Sequence, residues 1–145
     1  MKKLFLILMV TVSLVSCGNT EKKGETAENT VTADQLSVPG VEVMYFHGKQ
    51  RCLTCKAIEK EASETVCGNY ADGKVKFTVV DINSPEGEST AGKYKIARSS
   101  LLVINHKADG TETVENMTEK AFANARSNPE GFSAMLCEVI NPMLQ

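Results

Sequence analysis

The sequence predicts an α/β fold in which a mixed β-sheet carries helices on both faces. Short segments dense in β-branched and aromatic residues alternate with segments whose apolar residues step by about one helical turn. The last two extended segments are joined by a compact turn signal, so the order strand, helix, strand, helix, hairpin, helix gives a mixed sheet. At 42% hydrophobic and 23% charged over 145 residues, the composition supplies one self-sufficient core and leaves no room for a second domain.

The first expected strand is Val41-Glu42-Val43-Met44-Tyr45-Phe46, bounded by Pro39-Gly40 and Gly48, with enough apolar density for both faces to be covered. From Cys52 to about Val66 the residues Leu53, Ile58, Ala62 and Val66 recur at helical spacing with Lys and Glu between them, so a helix starts at the cysteines. Lys74 to Ile82 is a second strand. Ser84 is the expected N-cap and Pro85 the first residue of a helix reaching about Tyr94. Leu101 to Ile104 is a short buried strand, and Ala108-Asp109-Gly110 turns the chain into Thr111 to Val114, completing a hairpin. Two helical stretches close the domain, Thr118 to about Ser127 and Pro129 to about Ile140. The second presents Phe132, Met135, Leu136, Val139 and Ile140 to the core.

The N-terminal segment carries a different message. Lys2-Lys3 followed by the apolar run Leu4 to Val15 is a charged n-region and an h-region, too short to span a bilayer. It ends in Leu14-Val15-Ser16-Cys17, which resembles a bacterial lipobox. That resemblance implies a signal peptide over 1–16, lipidation of Cys17, and a domain held in the envelope of a Gram-negative bacterium, facing the periplasm or the outside. Several acyl chains on one residue anchor stably where one binds only marginally. The alternative is an ordinary secretory signal in which Cys17 is incidental. Residues 17–38, rich in Gly, Asn, Thr, Glu and Lys, are expected as a flexible tether, and 39–145 as the domain.

Formal charge is −2, and Lys2 and Lys3 belong to the signal, so the remainder is more acidic still. With no basic stripe, no aromatic stacking platform and no Trp, nucleic-acid binding is not expected. Gly-containing loops lack a phosphate-binding pattern, and Ser99 and Ser100 lack a His and acid at recognisable spacing, which disfavours a serine hydrolase. No cofactor is expected.

The chemistry is expected at Cys52-Leu53-Thr54-Cys55. A structural zinc site needs four ligands, and there is no second pair at metal spacing. At a strand-to-helix junction Cys52 meets the unpaired amides and the positive end of the macrodipole, which favour a thiolate. Arg51 and Lys56 add positive potential, screened by solvent. Cys52 is then the nucleophile and Cys55 the resolving thiol. The alternative is a permanent staple, which a short loop makes a weak one.

The Cys-x-x-Cys after the first strand, the strand end Val79-Val80-Asp81-Ile82-Asn83, Tyr94-Lys95-Ile96 and the hairpin together resemble the thioredoxin superfamily over about residues 40 to 145. The stretch Tyr45 to Cys55 resembles small thioredoxin-like bacterial lipoproteins, some labelled as nitroreductase-subunit relatives. Since nothing here resembles a flavin or nicotinamide site, that label bears on membership alone. The resemblance implies a thioredoxin-like fold and a thiol-disulfide oxidoreductase with a protein thiol or disulfide partner.

Two positions depart from the superfamily pattern. Ser100 stands where a cis-proline precedes the hairpin, and Tyr45-Phe46 occupies the region of the buried acid that assists proton transfer. Glu42 lies too far back to replace it. His47, Tyr45 or solvent is left to move the proton. A serine in place of the proline leaves the sulfurs open, so the second expectation is a soft-metal module, of copper or arsenic type, with Cys52, Cys55 and His47 as ligands. A third is a scaffold without turnover. In the thioredoxin arrangement Cys67 and Cys137 lie on helices of the same sheet face, implying either a structural disulfide or two buried thiols.

Overall fold

A computed structural model of the chain describes residues 39–145. The expected signal over 1–16, the lipidation site Cys17 and the tether over 17–38 lie outside the described residues. In chain order the elements are β1 (Gly40–His47), α1 (Leu53–Asn69), β2 (Val75–Asp81), α2 (Pro85–Lys93), β3 (Ser100–His106), β4 (Glu112–Asn116), α3 (Thr118–Asn124) and α4 (Pro129–Ile140), followed by a 3₁₀ turn over Asn141–Leu144. The sheet order is β2-β1-β3-β4. β1 runs parallel to β2 and antiparallel to β3, and β3 and β4 form the antiparallel hairpin.

β1 is buried along both faces because alternate residues enter two cores. Val41, Val43 and Tyr45 join Leu101 and Val103 beneath Ile58, Ala62 and Val66 of α1, Ala121 of α3, and Phe132, Leu136 and Ile140 of α4. Met44 and Phe46 join Val80, Leu102, Ile104 and Ala91 of α2 in the second core. The mixed sheet with helices on both faces is therefore the observed architecture. Burying β1 on both sides fixes its register, since a slip of one residue would exchange the two faces.

Helix α2 is set by its first turn. Ser84 Oγ accepts from the Gly87 amide at 3.0 Å and Pro85 occupies the first helical position, as the sequence predicts. Gly87 is needed there for space, because a Cβ on it would fall 1.9 Å from the Asp81 carbonyl oxygen. Gly87→Ala is expected to cost about 1–3 kcal/mol, or to displace the turn that starts α2. Urea denaturation reads this directly, and an unchanged midpoint would show that the turn relaxes freely.

Several element ends differ from expectation. α1 runs on to Asn69 and β3 to His106, while α3 stops at Asn124. The polar end of β3 is held by partners distant in sequence. Asn105 Nδ2 donates to the Met143 carbonyl at 3.0 Å, and His106 sits between Glu112 Oε1 at 3.0 Å and Glu42 Oε2 at 3.2 Å. Glu42 also accepts from Thr78 Oγ1. By strand alternation Glu42 shares the α2 face with Met44 and Phe46, opposite α1 and the cysteines. It is therefore a buried acid of the far face, unable to serve the cysteine pair.

Of the two alternatives for Cys67 and Cys137, the structure has them as free thiols. They are not both buried: Cys67 is exposed and Cys137 half-buried. Cys67 follows Val66 directly, and one residue turns a helix by about 100°, carrying it off the inward stripe. Cys137 Sγ instead lies 3.6 Å from Asn69 Nδ2.

Candidate functional site

Strand β1 points the chain at the site and a short loop reverses it. His47 ends β1, residues 48–52 form the loop, and Cys52 is the N-cap of the 17-residue α1. Its backbone is extended, at φ −72° and ψ 171°, the usual N-cap conformation, and its sulfur accepts from the Cys55 amide at 3.2 Å. A thiol thus takes the capping role that Ser or Asp usually fills. The first turn of α1 contains no acidic residue, so nothing there repels an anion at the cap.

Cys52 is exposed and Cys55 buried, with their sulfurs 2.9 Å apart. The Cys55 side chain, followed by the Cys55 amide, holds the Cys52 thiol below its ordinary value by hydrogen-bonding to the thiolate. Because the folded thiol ionises at lower pH than the unfolded one, its ionisation stabilises the reduced protein above the unfolded value. That contribution is lost as pH falls through the folded value. Iodoacetamide is therefore expected to modify Cys52 readily near neutral pH, with a rate midpoint below the ordinary thiol value. Mass-resolved alkylation across pH measures it, and a midpoint at the ordinary thiol value would show an unactivated thiol.

Tyr45 lies fully buried under the pair and donates from its hydroxyl to the Cys55 carbonyl at 2.9 Å. Burial first, then the neighbouring Cys55, pushes its pKa up to about 12, so it stays protonated and acts as a fixed donor. It positions α1 and is no base at neutral pH. Arg51 lies over the Tyr45 ring, 6.0 Å from the centroid, and forms an ion pair with Glu59. The sequence reads Arg51 as solvent-screened positive potential beside the thiol; Glu59, two turns along α1, offsets that charge. Lys56 is exposed, and its amide makes the first helical bond to the Cys52 carbonyl at 3.1 Å.

His47 is half-buried with Nδ1 donating to the Gly48 carbonyl at 3.1 Å. The structure does not bring it to the sulfurs. Among the described residues no three His, Cys, Asp or Glu side chains are arranged to hold a metal ion, so the ligand set Cys52, Cys55 and His47 is not assembled. The imidazole is retained at the strand end by its own loop.

Ser100, at the expected proline position, is buried at the start of β3 with its hydroxyl donating to the Arg98 carbonyl at 3.0 Å. The residue that does meet the pair is Ser99, whose Oγ lies 3.9 Å from Cys55 Sγ. The sequence shows Ser99 only as a serine without hydrolase partners; it is 44 positions from Cys55 and reaches it only because β3 pairs with β1. Beside Ser99 and Cys55 opens a cleft of about 960 Å³ between the 95–99 loop and the N-terminal part of α3.

The chain is similar in structure to the Trx4 domain of ERdj5, at 18% identity over 76% of this chain and 84% of that one, with a TM-score of 0.52. It also matches a thioredoxin from Thermus thermophilus at 16% identity, over 68% of this chain and 74% of that one, with a TM-score of 0.47. No family model and no curated protein sequence matches it. The fold is thioredoxin-like. The likeness to the ERdj5 domain agrees with the sheet order and with the helix placement described above.

Proposed function

We propose that this chain is a membrane-anchored thiol-disulfide oxidoreductase working outside the cytoplasm on protein substrates through Cys52 and Cys55. One observation carries the chemistry: an exposed sulfur caps a long helix while a buried second sulfur lies 2.9 Å away. The cap amide and the helix end favour the Cys52 thiolate, which attacks a sulfur of the client disulfide. A Cys52-to-client S–S bond forms, and the client's other sulfur leaves as a thiolate and takes up a proton. Cys55 then loses its proton and attacks Cys52. The client's second thiol is released, leaving the client reduced by two electrons and the pair oxidised. The reverse sequence oxidises a client dithiol.

The lipobox-like Leu14-Val15-Ser16-Cys17 supports the anchored, extracytoplasmic placement, where such exchange has clients. Stoichiometric reduction of insulin by the reduced protein, with one Cys52–Cys55 disulfide formed per client bond lost, tests the activity. Equilibration with glutathione buffers then gives the pair's potential. A pair that neither reduces insulin nor forms its own disulfide in any buffer would overturn the proposal.

A further inference from the structure

The cleft beside Cys55 has two unlike walls. On one side Lys95 and Arg98 are exposed and, among the described residues, have no carboxylate within ion-pair distance. On the other side α3 contributes Glu119 and the exposed ring of Phe122.

The cationic wall is built into the backbone. After α2 the Ile96 amide donates to the Ala91 carbonyl at 2.8 Å and the Lys95 amide to the Gly92 carbonyl at 3.2 Å, closing the helix end. Lys95 takes the left-handed conformation at that closure, with φ 55°. Glycine is the residue favoured there, so a lysine keeps a side chain at a position whose backbone would prefer none.

We propose that this cleft receives an extended stretch of the client with an acidic side chain beside the reacting cysteine and an apolar one nearby. The acid lies against Lys95 and Arg98 and the apolar group against Phe122. Glu119 repels an acid on the opposite wall, so the charges select one orientation of the segment. This rests on the thiol-disulfide reading above and names the client chemistry for it.

The test uses short synthetic peptides oxidised to disulfide dimers and differing only in whether Asp, Asn or Lys stands beside the cysteine. The full chain, in its reduced form, is mixed with each under single-turnover conditions, so its own dithiol supplies the two electrons. The Asp peptide is expected to react about tenfold faster than the Lys peptide at low ionic strength, with the difference shrinking as salt is added. Lys95→Glu with Arg98→Glu is expected to invert the order, whereas Lys107→Glu, on the distant hairpin turn, leaves it unchanged. In parallel, the Cys52→Ser/Cys55→Ser variant is titrated with the alkylated Asp peptide and followed by NMR, expecting shifts in residues 95–99 and 116–122. Equal rates for all three peptides would overturn the docking proposal while the oxidoreductase reading stands. Shifts without any reduction would support docking and overturn the chemistry, and neither shifts nor reduction would overturn both.

Discussion

Cys55→Ser is expected to turn the protein into a trap that holds its client on Cys52. The exposed sulfur at the helix cap keeps the Cys55 backbone amide as a donor, so it remains able to attack. The buried sulfur that resolves the adduct from 2.9 Å is gone, and water does not cleave a mixed disulfide. Cys52→Ser has the opposite phenotype: no adduct forms, and disulfide reduction falls by roughly 10³-fold or more because the nucleophile itself is missing. Non-reducing electrophoresis with mass mapping of the linked peptide distinguishes the two variants. Adducts that map to Cys67 in the Cys55→Ser protein would remove Cys52 from the role of attacker.

The second large effect is on stability. Phe132 is completely buried in α4 and packs in the core shared by α1, α3, α4 and the sheet. Its helix is fixed at both ends of the first turn, with Asn128 Oδ1 accepting from the Gly131 amide at 3.1 Å and Pro129 in the first helical position. The site therefore has little freedom to collapse around a cavity. Phe132→Ala is expected to cost about 3–5 kcal/mol, a large share of the roughly 5–15 kcal/mol that holds a domain folded. Phe122→Ala, whose ring is 39% exposed, is expected to change stability by less than about 0.5 kcal/mol. Urea midpoints for the two variants, measured with all cysteines reduced, decide it. A Phe132→Ala loss under about 1 kcal/mol would mean that the helices repack over the gap.

What could be read from the sequence was local. Ser84-Pro85 announces a helix start because capping needs only neighbours, and Cys52-x-x-Cys55 lies where a strand gives way to a helix because hydrophobic periodicity changes there. Both faces of β1 were legible from its run of apolar residues. The pairings that complete the site were not. Glu59 neutralises Arg51 across two turns of α1, and Ser99 meets Cys55 only through strand pairing. Cys67 looked like half of a bridge because sequence gives its distance along α1, while its angle around the helix decides its exposure. The sequence offers Glu42 only as an acid too far back to serve the cysteines and gives His106 no role, yet 64 positions apart they bond on the α2 face.

The hydroxyl of Tyr45 has one more implication. It ties the backbone of the buried cysteine to β1, an inner strand of the sheet. In the proposed exchange the inner sulfur keeps its place, so traffic in both redox directions passes through a single outer atom, the exposed sulfur of Cys52. Oxidation and reduction thereby share one covalent intermediate, and any compound that caps that outer atom closes both routes together.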